Sequence, residues 1–216
     1  MSAPAARAPA PRAASRTGRI RADLQLVADL VPEGSRVLDV GCGDGALLYY
    51  LSHVKGVDGR GIEINRERVA ACLAQGLSVI QGDAETDLAD YPDDAFDFVV
   101  LSQTLQAVHD PKGMLEELLR IGKRAVVSIT NAGYWRDRIQ FALAGRVPFR
   151  DEPSESWYDT PNIHPCTIRD FVGLARAMGI RIERCLVVRK SGAPREVDPE
   201  GAGANLLGVQ AVFLLG

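Results

Sequence analysis

The pattern of apolar and polar positions along the chain predicts an ordered series of helices and strands. Ile20, Leu24, Val27 and Val31 recur at the spacing of an amphipathic helix and stop before PEG. Unbroken apolar runs are typical of strands that are buried on both faces. Such runs predict five strands, in RVLDVGCG, GRGIEI, LSVIQGD, FDFVVLS and RAVVSIT, and the helices between them lie in ALLYYLSHV, RERVAACLAQG and HDPKGMLEELLRIG.

Capping residues mark the ends of two of these helices. Asn65 precedes one helix as its N-cap, and Gly76 follows that helix. The helix in HDPKGMLEELLRIG has Asp110 as its N-cap, Pro111 in its first turn and Gly122 just past its end. Local and periodic signals therefore agree on where these helices begin and end.

Strands that alternate with helices predict an α/β fold with a mostly parallel sheet and helices on both faces. The end of the chain differs, because IRDFVGLARAMG predicts a helix and IRIERCLVVR and LLGVQAVFLL predict two more strands. The connection KSGAPREVDPEGAGAN reads as a mobile loop, so the last two strands are expected to pair antiparallel. The prediction is a mixed sheet of seven strands with an antiparallel last strand.

Composition favours a soluble, single-domain protein. The 216 residues are 46% apolar and 25% charged, and no apolar run reaches the ~18 to 20 residues that span a bilayer. A cytoplasmic location is therefore expected. The four cysteines, Cys42, Cys72, Cys166 and Cys185, form no C-x-x-C pair, which argues against a zinc site and a disulfide framework.

The N-terminal segment has its own composition. The first 21 residues contain five arginines, many alanines and prolines, and no acid. We expect residues 1–19 to be a disordered tail and residues 20–216 to form one domain; an organellar transit peptide also has such a composition but would show a clearer amphipathic pattern. Beyond these 21 residues the chain has 20 basic and 28 acidic residues, a formal charge of −8, which argues against a nucleic-acid partner.

A glycine-rich turn follows the first predicted strand. In a doubly wound sheet the ligand binds at the carboxyl ends of the strands, beside the turn after the first one. Gly41, Gly43 and Gly45 form this turn in LDVGCGDG, Asp39 precedes it, and Glu63 ends the second strand, where a carboxylate can accept both hydroxyls of a ribose. The glycines also suit close packing of helix on strand, and Asp39 also suits a turn acceptor.

The spacing of these residues resembles motif I of the class I methyltransferases, a Rossmann-like fold, and departs from the G-x-G-x-x-G of dinucleotide binders. The resemblance implies S-adenosylmethionine or S-adenosylhomocysteine as the cofactor. It implies that the turn holds the methionine part, Glu63 the ribose and "GDAE" the adenine, although Asp83 also suits an ordinary Asx turn. The cofactor candidates are Asp39, Gly41, Cys42, Gly43, Gly45, Glu63, Ile64, Asp83, Ala84, Ser102 and Gln103.

More closely, the chain resembles the MetW family of methionine biosynthesis proteins. The resemblance rests on VLDVGCGDG, GIEIN, QGDAETDL, FDFVVLSQTLQAVHDP, SITNAGYWRDRIQ, GRVP and WYDTPNIHPCTIRDF. It implies association with a homoserine O-acyltransferase, whose activity the protein would support. Two alternatives stay open: a small-molecule methyltransferase, with His164, Asp159 or His109 as candidate bases, and a fold that has lost its ligand.

Two further features bear on chemistry. The asparagine-proline-proline-aromatic motif of amine-methylating relatives is absent after strand four, where SQTLQAVHD stands, which argues against methylation of adenine or of protein glutamine. The three histidines, His53, His109 and His164, lack metal-ligand spacing, so we predict no metal site.

The segment WYDTPNIHPCT combines aromatic and polar side chains between prolines. Thr167 and Asp170 have the spacing of a capping box for the following helix. The groups before them, Trp157, Tyr158, Asp159, Asn162 and His164, suit a cover over the donor methyl or an anchor for a partner, and an ordinary packed loop also fits.

Overall fold

A computed structural model describes residues 20–148, 160–190 and 194–216 of the chain. Within these residues eight strands form one mixed sheet in the order β3-β2-β1-β4-β5-β8-β6-β7. The strands are β1 (Arg36–Val40), β2 (Asp58–Glu63), β3 (Ser78–Gln81), β4 (Phe98–Ser102), β5 (Ala125–Thr130), β6 (Ile182–Val188), β7 (Arg195–Glu196) and β8 (Gln210–Leu215).

Helices connect most of these strands. They are α1 (Ala22–Leu30), α2 (Ala46–Val54), α3 (Arg66–Ala74), α4 (Ala84–Asp87), α5 (Pro111–Ile121), α6 (Trp135–Ala144), α7 (Ile168–Ala177) and α8 (Ala202–Leu207). Short 3₁₀ turns stand at Leu88–Asp90 and Leu105–Ala107. No helix in the described ranges is long and apolar enough to cross a membrane.

The sheet has a parallel part and an antiparallel part. Strands β1 to β5 pair in parallel, and β1 lies between β2 and β4. The chain therefore winds away from β1 in both directions, which opens a crevice at the carboxyl ends of β1 and β4. Strand β8 inserts antiparallel between β5 and β6, which confirms the predicted antiparallel pairing at the end of the chain.

Apolar side chains fill both faces of the sheet. On one face, Leu115 and Leu118 of α5 and Phe171 of α7 pack over β4, β5 and β8, and the rings of Phe171 and Phe213 stack at 4.2 Å between centroids. On the other face, α1 and α2 cover the sheet, with Val27 and Leu51 fully buried. Helices packed on both faces thus hold the strands whose carboxyl ends form the crevice.

The predicted helix caps are confirmed. The Asn65 side chain accepts hydrogen bonds from the N–H groups of Glu67 and Arg68, and Asp110 accepts one from Gly113. Thr167 and Asp170 form the predicted capping box at the start of α7. These caps satisfy amides that a helix N-terminus otherwise leaves unpaired.

The end of the chain corrects two predictions. The sheet has eight strands instead of seven, because Arg195 and Glu196 form a two-residue strand beside Leu186 and Val187. Helix α8 lies in the segment predicted as a loop, and it takes residues 206 and 207 from the predicted last strand. A two-residue strand and a six-residue helix are too short to show periodicity. The predicted tail, residues 1–19, lies outside the described residues, as do residues 191–193.

Asn131 joins four segments just beyond the end of β5. Its Nδ2 donates to the backbone carbonyls of Asn205, at 2.9 Å, and Gly208, at 2.8 Å. Its Oδ1 accepts from the N–H groups of Gly133, at 2.9 Å, and Ile168, at 3.1 Å. The side chain is completely buried, so its four hydrogen bonds use the full capacity of the amide. It holds the starts of α6 and α7 and the end of α8 against the sheet.

Replacing Asn131 with alanine should lower the free energy of unfolding by about 3 kcal/mol, since buried backbone groups lose their partners. Urea denaturation followed by circular dichroism measures the loss. Asn65→Ala, which removes an exposed helix cap, is the control and should lower it by only about 1 kcal/mol. Equal losses for the two variants would contradict the role assigned to Asn131.

Candidate functional site

A cavity of about 620 Å³ lies at the carboxyl ends of β1, β2 and β4. This is the crevice that the reversal of strand order creates. Six of the predicted cofactor residues line it: Gly41, Glu63, Ile64, Asp83, Ala84 and Gln103. The fold therefore brings together residues that lie far apart in the sequence.

Glu63 holds the glycine turn against the end of β2. Its Oε2 accepts the Gly43 N–H at 2.8 Å, and its Oε1 accepts the Asn65 N–H at 2.8 Å. The Glu63 residue is only 4% exposed. Gly43 has φ +59°, and a Cβ added there would meet no atom within 4 Å. The turn thus contributes Gly41, but not Gly43, to the cavity lining, while a buried carboxylate fixes its backbone.

Gly45 serves packing rather than the cavity lining. It has φ +78° at the N-cap of α2, and an added Cβ would lie 2.6 Å from Leu77 Cδ1 and 2.8 Å from Cys72 Sγ. Only glycine allows α2 and α3 to approach so closely here. The structural interpretation of this glycine is therefore correct, and it supports the turn from behind.

Asp39 and Cys42 lie buried beside the turn. Burial, and then the nearby charge of Glu63, raise the pKa of Asp39 to about 7. Burial also raises the pKa of the Cys42 and Cys72 thiols, which makes them unreactive. Two carboxyl groups thus meet at this edge of the sheet, and burial together with the Glu63 charge favours the protonated form of Asp39.

Asp83 combines a structural contact with a place in the cavity. Its Oδ1 accepts the Glu85 N–H at 3.0 Å and caps α4, and its own N–H donates to Asp87 Oδ2 at 3.0 Å. The Asx-turn interpretation is thus correct, and Asp83 and Ala84 also line the cavity.

Gln103 adopts a strained conformation at the end of β4. Its φ is +60°, which is unusual for a residue with a side chain. Its N–H donates to Ser128 Oγ at 3.0 Å, and its Oε1 accepts from Thr130 Oγ1 at 2.9 Å. Its Nε2 is buried and has no hydrogen-bond partner within the described structure. Gln103 lines the cavity although its unpaired Nε2 is itself buried, and the neighbouring Ser102 bonds to Ser128.

Two of the three candidate bases, His109 and His164, are not among the residues that line the cavity. His109 Nδ1 bonds to Glu85 Oε2 at 2.9 Å, and Glu85 raises the pKa of His109, which reduces the fraction of free base at neutral pH. His164 is exposed, and its Nε2 lies 3.3 Å from the His109 carbonyl oxygen. Asp159, like Trp157 and Tyr158, lies outside the described residues. Pro161 and Asn162 line the cavity, so the described part of their loop reaches it.

Sequence reasoning missed several lining residues from distant parts of the chain. Arg21 and Asp23 belong to the start of α1, and their ion pair, at 2.7 Å, stands at the cavity. Gln210 begins β8 and pairs with Thr130 at the end of β5. The position of Gln210 could have been predicted from the sequence. The last strand is expected to be antiparallel, and such a strand begins at the edge of the sheet where the parallel strands end. The other lining residues that were not predicted are Ile62, Arg68, Gly82, Glu85, Thr104, Ala107, Val108 and Pro161.

The charges around the cavity are mainly acidic. Four lining residues are acidic, namely Asp23, Glu63, Asp83 and Glu85, and two are basic, Arg21 and Arg68. Buried Asp39 adds a fifth acidic group near the cavity. This balance suits a ligand that carries positive charge. No group of three or more potential metal ligands occurs in the part of the chain that the structure describes.

The raised pKa of Asp39 predicts a pH-dependent stability. The folded value, about 7, lies above the ordinary value of 3.8, so the stabilisation is full at low pH and is lost as the pH rises through 7. Relative to Asp39→Asn, the wild type should lose about 2 to 3 kcal/mol of unfolding free energy between pH 5 and pH 8.

Denaturation at several pH values measures this difference. Asp97→Asn is the control: hydrogen bonds from the Arg36 N–H and Lys123 lower the pKa of Asp97 to about 2, so its difference from the wild type should stay constant over that range. A constant difference for Asp39→Asn would contradict the prediction.

Comparison with known proteins places the fold. A methyltransferase of Thermotoga maritima, described as S-adenosylmethionine-dependent, has a TM-score of 0.65 at 22% identity over 90% of this chain and 87% of its own. The chain thus has the predicted Rossmann-like class I methyltransferase fold. Ajmaline N-methyltransferase of Rauvolfia serpentina is 30% identical over 109 residues, which are 47% of this chain and 37% of that protein.

Family membership rests on a wider match. The bifunctional methionine biosynthesis protein MetXA/MetW of Rhodopirellula baltica is 33% identical over 175 residues, 76% of this chain. The match covers 28% of that longer protein, so the chain spans well under half of either curated relative. The model of the family described as methionine biosynthesis protein MetW matches residues 21–215. The chain therefore belongs to the MetW family.

Proposed function

We propose that this chain binds S-adenosylmethionine or S-adenosylhomocysteine in its cavity and supports a partner homoserine O-acyltransferase in methionine biosynthesis. The observation that carries the first part is Glu63, a buried carboxylate at the end of β2 that faces the cavity while two backbone N–H groups hold it. A carboxylate in this place fits the two hydroxyls of a ribose.

The residues around Glu63 fit the rest of the cofactor. Each Glu63 oxygen accepts one N–H and keeps further acceptor capacity for a hydroxyl. Asp83 and Ala84 would hold the adenine, and the glycine turn with Asp39 would hold the methionine part. The acidic lining suits the positive sulfonium and ammonium groups. When bound, S-adenosylmethionine supplies an activated methyl group.

The partner part rests on family membership and on one relative. That relative bears both names, MetXA and MetW, in one polypeptide. We take its MetXA part to be the homoserine O-acyltransferase that the family resemblance implies. A fusion keeps two proteins at high effective concentration, which supports an association between the separate chains.

We further propose that cofactor occupancy regulates the complex. S-adenosylmethionine is made from methionine, so it is a suitable feedback signal for an enzyme of that pathway. Regulation requires that the ligand bind the free chain and the complex with different affinities.

Methyl transfer to a small molecule is the second candidate function. The fold and the similarity to an N-methyltransferase favour it. The donor is already activated, so a positioned acceptor suffices unless it must lose a proton. His109 and His164 do not line the cavity, so an acceptor that needs no base fits the described site best.

Glu63→Gln should weaken S-adenosylmethionine binding 10- to 100-fold, because a charge-assisted hydrogen bond contributes about 1.5 to 3 kcal/mol. Isothermal titration measures the dissociation constant. Glu67→Gln, an exposed change in the first turn of α3, is the control and should leave it unchanged. Unaltered affinity in Glu63→Gln would exclude the ribose role, and no heat from the wild type would favour a fold without a ligand.

Co-purification with the acyltransferase, with and without saturating S-adenosylmethionine, tests the partner role. We expect a complex whose affinity and acyltransferase activity change with the ligand. Release of S-adenosylhomocysteine from candidate acceptors is measured in parallel. Turnover without a complex would establish the methyltransferase alternative, and a complex that ignores the ligand would end the regulatory proposal.

A further inference from the structure

Helix α6 leaves large apolar side chains uncovered by the described residues. Its first turn is anchored, since Tyr134 and Asp137 are buried. Beyond that turn every residue through Val147 is exposed. Ile139 is 48%, Phe141 55% and Leu143 84% exposed. By comparison, α5 and α7 each bury four residues in the core. We call Trp135, Ile139 and Leu143 the α6 face.

The α6 face has the spacing of a helix that binds in a groove. Trp135, Ile139 and Leu143 recur every four residues and form one stripe, whereas Phe141 projects from the other side of the helix. A helix of ten residues is only marginally stable without tertiary packing, because few hydrogen bonds offset its nucleation. Helix α6 therefore carries an apolar stripe that the described core does not cover.

The charges around this face are positive, in contrast to the rest of the chain. Arg136, Arg138 and Arg146 are exposed, and the one acid between them, Asp137, is buried. The Arg136 guanidinium lies 5.5 Å from the centre of the Trp135 ring. The chain as a whole has a formal charge of −3. A partner that fits here has an apolar groove with an acidic rim.

We propose that the α6 face is the docking surface for the acyltransferase. The inference rests on the proposed function, which supplies the partner, and adds the surface. Along the chain, the α6 face follows a strand end that is bonded to the cavity lining: Thr130 bonds to Gln103, Asn131 holds Gly133, and α6 begins at Trp135. A partner on α6 thus binds a helix that begins two residues after Gly133, the residue that Asn131 holds.

The test compares the wild type with Ile139→Gln/Leu143→Gln, using the purified full-length acyltransferase from the same organism. Titration should show at least 100-fold weaker binding for the double variant. Leu73→Gln is the matched control, because Leu73 is 54% exposed on α3, and it should change affinity less than twofold. The charge reversal Arg136→Glu/Arg146→Glu should slow association and reduce its salt dependence.

Three measurements on the isolated double variant exclude other occupants of the α6 face. Its affinity for S-adenosylmethionine, its thermal midpoint and its mass by light scattering should equal those of the wild type. A fall of several degrees in the midpoint would show that the face packs within the chain, for example against residues 149–159, and would overturn the proposal. A wild-type dimer that the double variant abolishes would assign the face to a second copy and would also overturn it.

The outcomes separate this inference from the proposed function. If the wild type and the double variant bind the acyltransferase equally well, the docking surface is wrong and the partner role stands. If the wild type binds S-adenosylmethionine but no acyltransferase, the partner role fails and the docking surface fails with it.

Discussion

The hydrogen bond from the Gly43 N–H to Glu63 is the constraint on which the site depends. It ties the turn after β1 to the end of β2, and the second bond to Glu63, from Asn65, adds the start of α3. Because the carboxylate is buried, these amides and the Glu63 oxygens have fixed positions before any ligand arrives. Preorganisation of this kind removes part of the entropy that binding otherwise costs.

The same constraint explains the state of Asp39. Glu63 must remain at the edge of the sheet to hold the turn, and its charge helps to raise the pKa of the buried Asp39 to about 7. A pair of crowded carboxylates lowers stability near neutral pH, and such conflicts are typical of functional sites. A cation bound beside these groups would relieve the repulsion, whereas an anion would increase it, which agrees with the excess of acidic residues in the lining.

Sequence predicted the parallel half of the fold well, because buried strands and capped helices leave local signals. The capping residues Asn65, Asp110 and Thr167 mark the starts of their helices, and the apolar runs predict strands β1 to β5. Helix α8 gave no such signal, since it depends on Asn131, whose contacts with Asn205 and Gly208 lie more than seventy positions away. Similarly, Arg21 and Gln210 reach the cavity only through the packing of α1 and the antiparallel entry of β8.

The cavity and the exposed helix α6 are separate regions of the described structure, and the residues of each region limit the chemistry that it can perform. The described cavity has a held turn, a buried carboxylate and a capped Asp83, whereas His109 and His164 are not among its lining residues, although His109 bonds to the lining residue Glu85. The described lining therefore contains no histidine that would remove a proton from an acceptor. Gln103 stands between the two regions, with a strained backbone and a bond to Thr130, whose neighbour Asn131 anchors the start of α6. The bond between Thr130 and Gln103 ties the end of β4, at the cavity, to the end of β5, and Asn131 ties the end of β5 to the start of α6. The proposal that a cofactor regulates the partner therefore requires that the bound ligand shift the end of β4, because this hydrogen-bonded connection is what would carry the shift to the exposed helix.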